Sequence, residues 1–315
     1  MRITVVGCGR WGAFLAWYAD RCGHSVTLYG RESSAHLEAW RKSRDNGLFT
    51  LPPSVALTST LPRDAELTLV SIPSQALRNL LQAQADVLRG VPLTLCMKGL
   101  EIGTGKRLTQ IVAEELGAAQ PTAVWLGPGH VEEFTRGVPN CMVVDSADEA
   151  LKAFVIEAFT GSLIRFYYGG DLIGNEIGAA AKNVVGIAAG MLDGLKLGTL
   201  KGALMSRGTR EVARLIAALG GQEQSAYGLC HLGDYEATVF SPHSHNRRFG
   251  ECWITGEPYR QLAEGYHTVR ALLDLQKRTR VELPISEAVY RVLYEQADPP
   301  EALQALLTRS LKAEF

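Results

Sequence analysis

The opening segment Met1-Arg2-Ile3-Thr4-Val5-Val6-Gly7-Cys8-Gly9-Arg10-Trp11-Gly12 constrains the fold more than any other part of the chain. Ile3 to Val6 is a short β-branched apolar run, and Ala13-Phe14-Leu15-Ala16-Trp17 begins a helical pattern. Strand, glycine turn and helix start follow one another without a gap. In such a GxGxxG segment Gly7 permits the tight turn, Gly9 lets backbone approach a pyrophosphate, and Gly12 lets helix pack on strand. The free N–H groups and partial positive charge at the helix N-terminus then favour phosphate. The segment therefore predicts a dinucleotide-binding βαβ unit, although a bare GxGxxG also fits a plain tight turn.

Alternating strand and helix patterns continue through the first half. Strands are expected at 2–6, 25–29, 67–72, 93–97, 123–126, 141–145 and 163–168, with helices at 10–21, 33–44, from 74, at 105–116 and at 148–159. This is the signature of a mostly parallel sheet covered by helices. Beyond Gly169-Gly170 only helical patterns remain. The expected architecture is α/β: a Rossmann-type domain over 1–169, then an all-helical substrate domain over 170–315. A chain of 315 residues, 46% hydrophobic and 21% charged, can bury two such cores. A net charge of −1 offers no field for nucleic acid. No apolar run is long enough for membrane insertion, since Val184 to Leu192 is far too short. A strand at the very start argues against a signal peptide. Six cysteines at 8, 22, 96, 141, 230 and 252 form no CxxC pair, so reduced thiols in a cytoplasmic protein are expected.

Ligands in open α/β sheets sit beyond the carboxyl ends of the strands. Four strand ends carry unusual loops: Gly7–Gly12, Ile72-Pro73-Ser74, Lys98-Gly99 and Gly127-Pro128-Gly129-His130. They are expected to converge on one crevice. Lys98 is the charged residue among them that follows a strand core, although a solvated strand-end lysine has the same spacing. At the second strand's end, Arg31 with Ser33 and Ser34 favours the 2′-phosphate of NADP, while Glu32 keeps NAD open.

In the second half, Gly174, Gly178, Gly186 and Gly190 recur through an alanine-rich helix, with Lys182 in the gap. Each mid-helix glycine costs about 1 kcal/mol relative to alanine, so a backbone or a ligand should approach that face closely. An apolar setting would depress the lysine's pKa and suit it to proton transfer; a lysine snorkelling to solvent is the plainer alternative. Asp234 is a partner for Lys182 or an ordinary helix cap. Ser244-His245-Asn246-Arg247-Arg248 is a donor cluster suited to a phosphate group. The spacing of Cys230, His231, His243 and His245 fits no standard zinc pattern, so no metal is expected.

Together these segments resemble the bacterial NAD(P)-dependent glycerol-3-phosphate dehydrogenases over most of the chain. The resemblance rests on Gly7–Gly12, Ile72-Pro73-Ser74, Lys98-Gly99-Leu100-Glu101 and Gly127-Pro128, then on Ala181-Lys182-Asn183-Val184, Gly190-Met191-Leu192-Asp193-Gly194, Leu232-Gly233-Asp234 and Asn246-Arg247-Arg248-Phe249-Gly250. It implies interconversion of dihydroxyacetone phosphate and sn-glycerol 3-phosphate for phospholipid synthesis, with NADP preferred over NAD, in a homodimer. It implies proton transfer by Lys182, with Lys98 and Asp234 as further catalytic residues. Gly127, Gly129, Asn183, Ser244, His245 and Asn246 would bind the substrate with them. Gly7, Gly9, Arg10, Trp11, Gly12, Arg31, Pro73, Lys98, Val131, His245, Leu262 and Glu264 would surround the cofactor. Three departures fall on the substrate side. The family's Ser-Arg-Asn reads Ser244-His245-Asn246, and a neutral imidazole lacks the arginine's fork of donors. Gly129 replaces a hydroxyl residue. The threonine-rich stretch after Leu-Gly-Asp reads Tyr235-Glu236-Ala237-Thr238-Val239-Phe240. An altered substrate, a hydroxy acid or a ketopantoate-like acid, and a cofactor-binding homologue without turnover are the competing expectations.

Overall fold

In the computed structural model eight strands form one sheet: β1 Arg2–Val6, β2 Ser25–Tyr29, β3 Ala56–Thr58, β4 Leu67–Val70, β5 Leu93–Leu95, β6 Thr122–Leu126, β7 Asn140–Ser146 and β8 Ile164–Tyr168. Their order is β3-β2-β1-β4-β5-β6-β7-β8. All neighbouring pairs run parallel except β6 with β7. The order reverses between β1 and β4, which puts a ligand crevice beyond their carboxyl ends. β4 is buried along its whole length, as expected of a strand covered on both faces.

The helices are α1 Arg10–Arg21, α2 Ala35–Ser43, α3 Leu77–Ala83, α4 Ala85–Leu88, α5 Leu108–Leu116, α6 Val131–Thr135, α7 Glu149–Phe159, α8 Leu172–Gly194, α9 Lys201–Ala218, α10 His245–Thr255, α11 Glu264–Thr279, α12 Pro284–Tyr294 and α13 Pro299–Leu307. The structure describes residues 1–310; residues 311–315, the end of the expected helical domain, lie outside the described residues. No described helix is long and apolar enough to cross a membrane.

Two compact units result: residues 1–98 with 106–176, and residues 99–105 with 177 onward. The first unit's core is the two-faced burial of the sheet by Phe14, Leu15, Leu28, Leu69, Trp125, Val155 and Phe159 among others. The sequence places the boundary at 169, whereas the units divide inside α8, after Glu176. The reason lies in the first turn of that helix. Glu176 accepts hydrogen bonds from the Thr109 amide (3.0 Å) and hydroxyl (2.6 Å) and pairs with Arg107 at 2.5 Å. That turn is thereby tied to the first unit.

In the second unit α8 is buried on nearly every side: Ile177, Ala180, Ala181, Val184, Ile187 and Ala189 are inaccessible. A helix apolar all round belongs at the centre of a bundle. The expected close approach to its glycine face is made by protein: the His231 side chain at Gly178, the Thr238 and Asn246 side chains at Gly186, and backbone at Gly190. A Cβ at Gly190 would strike the Arg247 carbonyl of α10, and a Cβ at Gly250 of α10 would strike the Ile187 carbonyl of α8. The two helices meet through reciprocal glycines.

Candidate active site

In the first unit, the glycine turn takes the shape a dinucleotide needs. Gly7 has φ +114° and donates its N–H to Tyr29 O at 2.9 Å. A Cβ there would strike the Ser71 carbonyl at the end of β4, and a Cβ at Gly12 would strike the Gly7 carbonyl. Nothing lies within 4 Å of where a Cβ of Gly9 would stand, so this residue fronts open space. Gly9 caps α1 with extended backbone and no side-chain cap, leaving the first-turn amides to face that space. These residues fit a pyrophosphate. Trp11 packs at a tilt against Phe14 (centroids 5.0 Å apart) and lies 6.2 Å from Phe134. Arg10 forms an ion pair with Glu132 on the first turn of α6, next to buried Val131. Pro73 leads into a single 3₁₀ turn, Ser74–Ala76.

The end of β2 separates the candidate cofactor-selecting groups. Arg31 is exposed. Glu32 is gripped by both guanidinium nitrogens of Arg41, at 3.0 and 3.2 Å. Ser34 caps α2 through the Leu37 amide and touches the Cys8 thiol at 3.4 Å. The expectation that Glu32 could serve a ribose hydroxyl therefore meets a competitor, Arg41, that the sequence reading did not single out.

Lys98 is half-buried and donates its ammonium to the Gly127 carbonyl at 2.7 Å. The loops after β5 and β6 are thus joined, as convergence of strand ends requires. Gly127 and Gly129 have φ of +134° and +143°. The space where a side chain at Gly129 would stand holds the Phe134 ring, itself stacked on Phe14 at 5.1 Å. The missing hydroxyl at 129 is therefore paired with an aromatic ring that fills its place.

In the second unit Lys182, 7% exposed, lies 2.6 Å from the Asp234 carboxylate and donates to the Thr238 hydroxyl at 2.7 Å. It does not snorkel, and Asp234, 1% exposed, is its counter-charge rather than a helix cap. Of the two readings of Asp234, the structure bears out the partner, and this carboxylate stabilises the ammonium in its apolar setting. In the sequence Thr238 is marked only as the remnant of a depleted threonine stretch. A π-helical turn over Glu236–Phe240 carries it to Lys182. Its signal in the sequence was its position one turn after Asp234.

Asn183 and Asn246 meet side by side: Asn246 donates to the Asn183 Oδ1 at 3.1 Å and accepts from the Gly265 amide at 2.9 Å. Asn246 and Thr238 both pack over Gly186, one turn beyond Lys182. Buried Ser244 caps α10 through the Arg247 amide. His245 is exposed, with Nδ1 2.8 Å from the Tyr259 hydroxyl. Burial raises that phenol to about 12. Leu262 is exposed, and Glu264 opens α11. Arg247 leaves the expected phosphate cluster. It pairs with Asp193 at 2.7 Å and donates to Ser241 O at 3.1 Å, and Lys201 grips the same aspartate at 2.7 Å. Its role is to fasten α10 to the end of α8.

Comparison with known proteins identifies the family. Residues 2–152 match the family model described as NAD-dependent glycerol-3-phosphate dehydrogenase N-terminus, and residues 171–304 match its C-terminus. The chain belongs to the NAD-dependent glycerol-3-phosphate dehydrogenase family. The glycerol-3-phosphate dehydrogenase [NAD(P)+] 2 of Salinibacter ruber is 37% identical over 99% of this chain and 96% of its own length. A glycerol-3-phosphate dehydrogenase [NAD(P)+] of Bradyrhizobium sp. is also 37% identical, covering 99% and 98%. Among solved structures, glycerol-3-phosphate dehydrogenase from Coxiella burnetii superposes with TM-score 0.90 at 30% identity, covering 98% of this chain and 99% of that one. A putative 2-dehydropantoate 2-reductase from Enterococcus faecalis, at 14% identity and TM-score 0.59, shares the fold alone.

Proposed function

We propose that this chain interconverts dihydroxyacetone phosphate and sn-glycerol 3-phosphate with a nicotinamide dinucleotide, and that Lys182 moves the proton. The observation that carries the reading is the buried Lys182 ammonium held between Asp234 and Thr238. Bound nicotinamide supplies or receives the hydride at the substrate's carbonyl carbon. The chain's own residues do the rest. In reduction Lys182 Nζ gives a proton to the developing alkoxide, and in oxidation it takes one back. Asp234 holds the lysine charge, and Thr238 fixes the ammonium's direction. Lys98, anchored on the Gly127 carbonyl, orients the carbonyl oxygen. Asn183 and Asn246 present amide groups to the substrate. The N-terminus of α10, with Ser244 and His245, receives its phosphate.

Gly7, Gly9, Arg10, Trp11 and Gly12 hold the dinucleotide with Pro73, Val131, Leu262 and Glu264. Arg31 favours NADP, because the Glu32 carboxylate is already taken by Arg41. A cytoplasmic homodimer supplying glycerophospholipid synthesis completes the proposal.

His245, paired with Tyr259, favours one competitor: a related dehydrogenase acting on a substrate without phosphate. A panel of ketones with and without phosphate, read by NADPH oxidation, separates the two. The proposal expects dihydroxyacetone phosphate to give the highest kcat/KM. Preference for a non-phosphorylated hydroxy-acid precursor would overturn it, and no turnover on any member would favour a homologue that only binds the cofactor.

A further inference from the structure

His231 and Tyr235 flank Asp234 in sequence, and neither has a part in the chemistry above. Both are fully buried. The imidazole Nδ1 lies 2.9 Å from the Gly178 carbonyl and Nε2 lies 2.7 Å from the Tyr235 hydroxyl. A carbonyl only accepts, so Nδ1 carries the hydrogen. In a neutral ring Nε2 is then a lone pair, and the tyrosine O–H donates to it. Burial holds the imidazole down to about 4; the hydrogen bond to Gly178 pulls it up, the Lys182 charge pushes it down by less, and Asp234 raises it least.

Gly178 stands one helical turn before Lys182, so its carbonyl also receives the Lys182 amide in α8. A Cβ at Gly178 would come within 3.0 Å of the His231 Cβ; glycine is what admits the ring. On the other side the His231 carbonyl accepts the Asp234 amide at 3.0 Å, and Tyr235 N donates to Leu232 O at 3.1 Å. One imidazole therefore ties the backbone beneath the lysine to the turn that carries its counter-ion. The charged and titratable groups facing this pair are Lys182 on α8, Asp234 in the turn, and Glu211 on α9 beside Tyr235.

We propose that His231 and Tyr235 are positioning residues for proton transfer: a neutral imidazole, fixed between the Gly178 carbonyl and the Tyr235 hydroxyl, sets Asp234 against Lys182 and keeps a second positive charge away from that ammonium. The proposal rests on the reading of Lys182 as the proton-moving group. Tyr235→Phe removes the donor to Nε2 and keeps the ring. Nε2 is then a buried acceptor without its donor, and the ring is no longer held against the Gly178 carbonyl.

The test is kcat and KM for Y235F, read as ratios to wild type across pH. In Y235F kcat should fall about tenfold, the equivalent of one hydrogen bond, with KM for NADPH and dihydroxyacetone phosphate little changed. The ratio should stay flat from pH 8 to 5.5, because burial and the Lys182 charge still hold the imidazole neutral. Y235F/H231N should lose no more than the worse single variant, because the two side chains act as a unit. An unchanged kcat for Y235F, a change confined to KM, or additive losses in the double variant would overturn the proposal. Nitrogen-15 spectra of the wild-type protein give a second readout, with H231N used only to assign the ring's resonances. The resonances lost in H231N should be those of a neutral Nδ1–H ring from pH 8 to 5.5. A ring that titrates in that window, or carries its hydrogen on Nε2, contradicts it. Lys182→Ala in parallel keeps the two readings apart. Near-normal turnover there removes the basis of the pair, whereas lost turnover with an unchanged Y235F kcat removes the pair alone.

Discussion

Lys182 gains its position from two neighbours supplied by one short turn. An ammonium taken out of water costs several kcal/mol unless a carboxylate and hydrogen bonds accompany it. Asp234 at 2.6 Å and Thr238 at 2.7 Å meet that need. Asp234→Asn leaves the charge buried without its partner, so it should destabilise the fold by about 3–5 kcal/mol in urea unfolding. Thr238→Val keeps the shape and removes the hydroxyl. It should lower stability by only about 1 kcal/mol, and its effect should appear mainly in kcat. A loss of equal size for both variants would deny Asp234 the role of counter-ion. Elsewhere in the same unit, burial raises the Glu211 carboxyl to about 7, although the Ile285 and Ser286 amides and the Ser286 hydroxyl pull it down. A raised carboxyl stabilises the native state while protonated. That contribution is whole below the ordinary 4.5 and is lost as pH rises through 7. Glu211→Gln should remove a fall of about 3 kcal/mol over that window. Stability curves for variant and wild type that run parallel from 4.5 to 7 would show that Glu211 does not titrate there.

At the scale of elements, α8 and α10 are held at backbone contact by glycines, with Arg247 and Lys201 clasping Asp193. Gly190→Ala forces a methyl into the Arg247 carbonyl, so it should cost about 1–3 kcal/mol and shift Asn246 relative to Asn183. The expected readout is a lower Tm with a raised KM for dihydroxyacetone phosphate. An unchanged melting curve would mean the helices need no such contact. Gly129→Ser restores the family's hydroxyl on paper. Here it meets a φ of +143° and the Phe134 ring, so it should lower Tm rather than improve activity. The sequence carried the spacing of the α8 glycines and the expectation of a close approach. It could not say whether backbone or ligand made that approach, because either excludes a side chain equally well. Thr238 and Arg247 were misjudged for one reason. A π-turn and a buried aspartate, both set by tertiary packing, decide where those side chains point.

For the whole molecule, the alternation of strand and helix was enough to give the sheet, because period and turn residues are local signals. Every expected strand is present within a few residues, and β3 adds a short strand between β2 and β4 in the sequence. The division into units was less legible. It depends on Glu176 reaching back to Thr109 and Arg107, a contact between residues far apart in sequence. The dinucleotide turn was legible residue by residue, since each glycine answers to a steric demand of its own. Cofactor selection was only half legible, because the claim of Arg41 on Glu32 belongs to the folded surface. The central claim joins all three scales: a buried lysine on a glycine-faced helix moves the proton in the reduction of dihydroxyacetone phosphate. The most direct measurement is kcat of Lys182→Ala with NADPH, alongside the NADPH dissociation constant. The expected result is a loss of kcat on the order of 100-fold or more with cofactor affinity unchanged. Turnover close to that of the wild-type enzyme would contradict the claim.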